Sequence, residues 1–141
     1  MKVIRVVAIA TLIAGAASPW HLARARQGGG RVAQAQSIGL KRTELQRHDL
    51  SVPGREVVQV RVEIGPEPIR HTHPGEEIVY VLEGSIEYQI EGAPRRTLTA
   101  GDVLFVPAGA VHSARNVGTG RATELATYVV EKGKPLIALA K

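Results

Sequence analysis

The sequence predicts an all-β domain, an antiparallel sandwich or barrel. Past residue 40, apolar and polar residues alternate with a period of two, the runs are short, and Gly- and Pro-rich turns separate them. No stretch there carries a helical period of useful length, and no tandem repeat is evident. The 141 residues suffice for one domain with a proper core, and nothing marks a second.

The elements follow in order. Residues 41–54 are mixed and polar and end in the turn signal Val52-Pro53-Gly54, so a short strand or loop is expected there. In 57–64, Val58, Val60, Val62 and Ile64 share one face and Gln59, Arg61 and Glu63 the other, as a half-buried strand requires. Gly65-Pro66-Glu67-Pro68 stops it. Residues 77–82 are apolar on both faces, with Val79 and Val81 on one and Ile78, Tyr80 and Leu82 on the other, which predicts a strand buried on both sides. Ile86, Tyr88 and Ile90 alternate with Glu87, Gln89 and Glu91 in another half-exposed strand. Short strands are expected at 95–98 and 103–106, the second ended by Pro107, then at 110–117 and 122–130, before a short apolar tail. Tyr80, Tyr88, Tyr128 and Phe105 fall on strand periods and read as core, with Phe105 placed to line a cavity mouth.

The amino terminus reads differently. Lys2 and Arg5 precede an apolar run over 6–17 that is too short to span a bilayer comfortably and ends in small residues. Residues 1–35 are therefore expected to be a signal peptide or N-terminal anchor, with cleavage after Ala35, leaving 36–141 as a single domain in the periplasm or secreted. The net charge of +5 originates in this segment, which holds five basic residues and no acid, whereas the remainder holds thirteen of each sign. The body is neutral, so no nucleic-acid footprint exists there, and no membrane association is expected of the mature domain. The absence of cysteine excludes disulfide frameworks, thiolate metal sites and cysteine nucleophiles.

The chemistry concentrates in His71-Thr72-His73-Pro74-Gly75-Glu76-Glu77 and in His112. On an extended strand, His71 and His73 leave the same face with backbones about 6 to 7 Å apart. A carboxylate past the Pro74-Gly75 turn and a third histidine from a distant strand complete a set of three nitrogens and an oxygen, which borderline divalent metals accept. Glu76 and Glu77 are adjacent and both strand faces are apolar, so alternation leaves open which one serves. His48 and His21 read as ordinary polar residues.

Two spaced patterns resemble those of the cupins. Gly65, His71, His73, Glu77 and Gly84 match the first cupin motif at every position, and Gly101, Pro107, Gly109, His112 and Asn116 match the second. The resemblance spans residues 65–116 and implies a double-stranded β-helix, the jelly-roll barrel of six to eight strands, around a divalent metal. It implies His71, His73, Glu77 and His112 as metal ligands, choosing Glu77 over Glu76, which is left as a solvated carboxylate. Asn116 and the motif glycines would serve the fold.

Three neutral imidazoles and one carboxylate would leave a divalent Fe, Mn, Ni, Cu or Zn ion with a net charge near +1, attractive to anionic chelating oxygens. The expectation is a metal-dependent enzyme similar to small quercetinase-like dioxygenases, acting on a small-molecule substrate, with Glu77 as the proton acceptor if it loosens from the ion. The alternatives are a non-catalytic module binding a small molecule or metal, and an isomerase or decarboxylase of the same fold. The apolar face of Ile78, Tyr80 and Leu82 is expected to be covered by residues 36–54 or by the second subunit of a homodimer.

Overall fold

A computed structural model describes residues 40–141; the expected signal or anchor and its cleavage at Ala35 lie outside the described residues. The described chain folds into ten strands, β1 (Lys41–Asp49), β2 (Arg55–Glu63), β3 (His71–Thr72), β4 (Gly75–Glu83), β5 (Ser85–Ile90), β6 (Arg96–Thr99), β7 (Val103–Val106), β8 (His112–Asn116), β9 (Thr123–Glu131) and β10 (Ala138–Leu139). They form two five-stranded antiparallel sheets, ordered β1-β2-β9-β4-β7 and β10-β3-β8-β5-β6. This is the expected all-β jelly roll, with ten strands where six to eight were expected.

Alternation sets what faces inward. Val58, Val60 and Val62 of β2, Val79 and Val81 of β4, Ile86 of β5, Leu98 of β6, Leu104 and Val106 of β7, and Ala126 and Val130 of β9 form the buried core between the sheets. Most are β-branched, which suits side chains standing on a pleated surface. Gly84, between β4 and β5, has φ +82°, a conformation that favours glycine, and a Cβ there would collide with the Arg121 carbonyl. Asn116 ties the next turn: its Nδ2 donates to the Gly120 carbonyl at 2.8 Å, and its Oδ1 accepts from the Gly118 amide at 2.9 Å. These motif residues thus act on the fold.

Three expectations change. Residues 41–49 form a full strand, β1, paired along β2. It is an edge strand, mostly exposed on both faces, so it lacks the alternation by which a half-buried strand is recognised. Secondly, β4 is buried on one face only. Ile78, Tyr80 and Leu82 point outward at 48%, 45% and 43% exposure, and β1 lies at the opposite end of the sheet and does not cover them. Thirdly, Phe105 is neither core nor cavity mouth: it stands 57% exposed on the outer face of β7, opposite Ile78.

Candidate metal centre

The four residues singled out in the sequence meet inside the barrel. His71 of β3 stands opposite His112 of β8 in a single ladder pair, which brings their ring centroids to 4.3 Å. His73, just past β3, is 4.9 Å from His71 and 5.1 Å from His112. These three histidines form a buried group whose ligand atoms could hold one metal ion. Glu77 projects inward from β4, with Oε2 3.4 Å from His73 Nε2 and 3.2 Å from His112 Nε2. All four side chains are buried, whereas Glu76 turns outward to pair with Arg55 at 2.8 Å.

Backbone carbonyls fix the tautomers. His71 Nδ1 donates to the Ile69 carbonyl at 2.8 Å, His73 Nδ1 to the Leu136 carbonyl at 2.5 Å, and His112 Nδ1 to the Ala110 carbonyl at 3.0 Å. A carbonyl only accepts, so each Nδ1 must carry the proton, and in a neutral ring each Nε2 is left with a bare lone pair. Glu77 Oε2 faces two of those lone pairs. Although close, the contacts lack hydrogen-bond alignment, and His73 Nε2 and Glu77 Oε2 have no hydrogen-bond partner. Buried polar atoms left this way cost free energy unless a cation sits among them. The donor set, with its outer nitrogens anchored on carbonyls, fits a divalent metal.

Titration points the same way. Burial, together with the neighbouring His112 and His73, pushes His71 down to about 4, so its ring is neutral and able to ligate at neutral pH. Burial acts to raise the Glu77 carboxyl, but His112 and His73, when a proton rather than a metal ion sits on the Nε2 facing it, outweigh burial and hold Glu77 well below the usual carboxylate range, so the carboxylate stays charged and seeks a cation.

A polar ring that sequence reading missed surrounds these four. Tyr128 of β9, opposite Glu77 in the ladder, lays its ring 4.6 Å from His73. Its hydroxyl accepts from Arg42 Nη2 at 2.5 Å. Tyr88 of β5 donates to Glu124 Oε2 of β9 at 2.5 Å, joining the two sheets. Burial and the charge of Glu77 push Glu124 up to about 8. Tyr88 and Tyr128 are buried, as core residues would be, but they line the chamber rather than fill it. Glu124 did leave a signal: it is the one acid on the face Glu124, Ala126, Tyr128, Val130. Arg42 left none, because β1 is polar on both faces. The free space among these side chains is about 10 Å³, room for a single water. A wider groove of about 550 Å³ lies on the outside of β5 and β8, but its charges are spent on one another, as in Arg115 with Glu87 at 2.9 Å.

Residues 58–131 match the Cupin domain family. Among curated proteins, the chain is 47% identical over 45 residues to the dimethylsulfoniopropionate lyase DddQ of Ruegeria pomeroyi, covering 32% of this chain and 22% of that protein. It is 40% identical over 63 residues to germin-like protein 1-1 of Oryza sativa subsp. japonica, covering 41% of this chain and 29% of that protein. The chain thus spans less than a third of the curated relatives it matches. Among solved structures, the same DddQ superposes with a TM-score of 0.57 at 26% identity, over 72% of this chain and 51% of that one. An oxalate oxidase in complex with glycolate gives a TM-score of 0.55 at 27% identity, over 72% and 55%. With its fold, its three-histidine centre and a family match over more than half its length, the chain is a metal-binding member of the cupin family.

Proposed function

We propose that this cupin is a metal-dependent enzyme that binds a small oxygen-chelating substrate at an ion held by His71, His73, Glu77 and His112, and that its reaction is of the dioxygenase type. The observation that carries this reading is the convergence of three buried, Nδ1-anchored imidazoles and a carboxylate, among which His73 Nε2 and Glu77 Oε2 have no hydrogen-bond partner. A divalent ion there would supply Lewis-acid or redox chemistry to a chelating substrate. The chain's own residues do the rest. The carbonyls of Ile69, Ala110 and Leu136 orient the rings, and the valines of β2 and β4 keep water out. Glu77 is the proton acceptor nearest to a bound substrate. Likeness to an oxalate oxidase supports an oxygen-using reaction.

One observation favours a second reading, lyase or decarboxylase chemistry. Glu124 with its raised pKa retains a proton at neutral pH on the chamber wall beside Tyr88, where elimination or protonation of a carbanion would need it, and the chain shares a 45-residue segment with a lyase. A non-catalytic binding module remains the alternative outside enzymology. Export to the periplasm or medium and assembly as a homodimer belong to the same proposal.

Oxygen uptake by untagged protein of known metal content, tested on catechols, flavonols, diketones and small hydroxy acids, decides among these. The expected result is about one metal per chain and oxygen consumed with one substrate class. Silence across the panel from fully metallated protein sinks the dioxygenase reading. Substrate loss without oxygen uptake moves the assignment to the lyase.

A further inference from the structure

Arg42 is a cation in an unusual place. In the ladder it stands opposite Val62, whose side chain is buried, so Arg42 turns toward the barrel interior while Lys41 and Thr43 turn to solvent. There it lines the same chamber as His71, Glu77, His112, Tyr88, Glu124 and Tyr128. Its guanidinium lies 5.5 Å from the centroid of the Tyr128 ring and donates to the Tyr128 hydroxyl at 2.5 Å. Among the described residues no carboxylate pairs with it. Five donors and a full positive charge are therefore met by one phenol oxygen and a ring face, although a guanidinium is built to take a carboxylate through two parallel bonds.

Glu77 and Glu124 attract the guanidinium through space, but neither bonds it directly. Glu77 belongs to the metal set, and Glu124 accepts its hydrogen bond from Tyr88. With a divalent ion in place, the chamber would hold that ion, Arg42 and the Glu77 carboxylate, a clear positive excess among largely buried side chains. The free volume holds one water, so a ligand enters only by displacing the Arg42–Tyr128 contact, which favours a short molecule over a large aromatic one.

We propose that Arg42 is the anion anchor of the substrate site: it releases the Tyr128 hydroxyl to pair with the carboxylate of a small acid whose other oxygens reach the metal. This rests on the metal-centre reading and names the substrate class for it, a short carboxylic acid with a second oxygen donor. Tyr128 is then an internal placeholder that competes with the ligand for Arg42.

The test uses the full-length protein loaded with cobalt(II), whose visible spectrum reports ligands at the ion, titrated with glycolate and with its neutral analogue glycolamide. Wild type should bind glycolate about 30-fold more tightly than glycolamide, the range of a charge-assisted bond. Arg42→Gln should bring the two within about threefold of each other, and Arg42→Lys should retain part of the preference. Tyr128→Phe should tighten glycolate by about fivefold, because it removes the competitor, an effect that loss of structure does not produce. Equal binding of the two probes by wild type, or an undiminished preference in Arg42→Gln, overturns the anchor while leaving the metal centre intact. Failure of wild type to bind cobalt overturns the metal centre instead. The anchor is then judged on the metal-free protein by melting, where glycolate but not glycolamide should raise Tm in wild type and not in Arg42→Gln.

Discussion

Strand β4 presents two faces that the same alternation produces and that end in opposite circumstances. Inward, Glu77, Val79 and Val81 are buried and the carboxylate meets two histidines. Outward, Ile78, Tyr80 and Leu82 are about half exposed, and the exposed Phe105 and Val103 of β7 lie beside them in the ladder. The inner face is polar where it should be costly, and the outer face is apolar where it should be wet. Each reversal costs free energy in the isolated domain, which is the usual sign that a partner is expected. The inner face fits a metal ion, and the outer face is where the proposed homodimer would meet.

Removing a ring from the inner face should have the largest effect. His73→Ala removes one of the four proposed ligands and leaves His71, His112 and Glu77, so metal measured by elemental analysis should drop from about one per chain to below a tenth. Full retention would remove His73 from the ligand set. Isotope-edited NMR of the imidazole nitrogens would sharpen the same point, by showing whether Nδ1 keeps its proton as the Ile69, Ala110 and Leu136 carbonyls require.

The next effect is on pH, and the inner face should respond in both directions. His71 has a folded pKa of about 4, below the 6.5 of a free histidine, so the unfolded chain binds the extra proton. The stability contributed by its neutral ring is therefore complete above 6.5 and lost as pH falls from 6.5 to 4, by on the order of 2 kcal/mol in metal-free protein. Glu124 behaves oppositely. Its folded pKa of about 8 lies above the free value of 4.5, so the folded state binds the extra proton, and that contribution is complete below 4.5 and lost as pH rises toward 8. Glu124→Gln keeps an acceptor for Tyr88 and cannot ionise. The variant should melt higher than wild type at pH 9, by the equivalent of about 2 kcal/mol, and show no such gain at pH 5. Equal shifts at both pH values would show that Glu124 does not carry the alkaline loss.

Much of the inner face could be read from the sequence, and the reason is local. A period of two, broken by Gly65, Gly84 and Gly101, set the strands of the barrel, and two spaced motifs brought the histidines and Glu77 together in prospect. The polar ring around them was not legible, because Arg42 reaches Tyr128 and Tyr88 reaches Glu124 from strands far away in sequence, and no local pattern encodes where such side chains end. Residues 41–49 hid as a strand for the same reason: an edge strand draws its pairing from β2 and needs no apolar stripe of its own. The outer face was half legible: a strand apolar on both sides states that both are covered without saying by what, and of the two covers expected, β1 lies at the far end of the sheet while the second subunit belongs to the proposal.

The smallest effect on the fold, and the sharpest for the comparison, concerns that outer face. Ile78 stands opposite Phe105 and Tyr80 opposite Val103, so four apolar side chains form one continuous patch on the ribbon of β4 and the edge strand β7. They are already 45% to 59% exposed, so replacing them removes little internal packing. Phe105→Glu combined with Tyr80→Lys should thus change the unfolding free energy of a single subunit by no more than about 0.5 kcal/mol. If two copies meet through this patch, the same pair of changes should halve the mass found by light scattering, because a self-complementary interface suffers each substitution twice. The metal content should stay at one per chain, since β4 turns these residues away from Glu77. A wild-type monomer would leave the patch wet and remove the homodimer, and a variant that stays dimeric would move the interface elsewhere on the barrel.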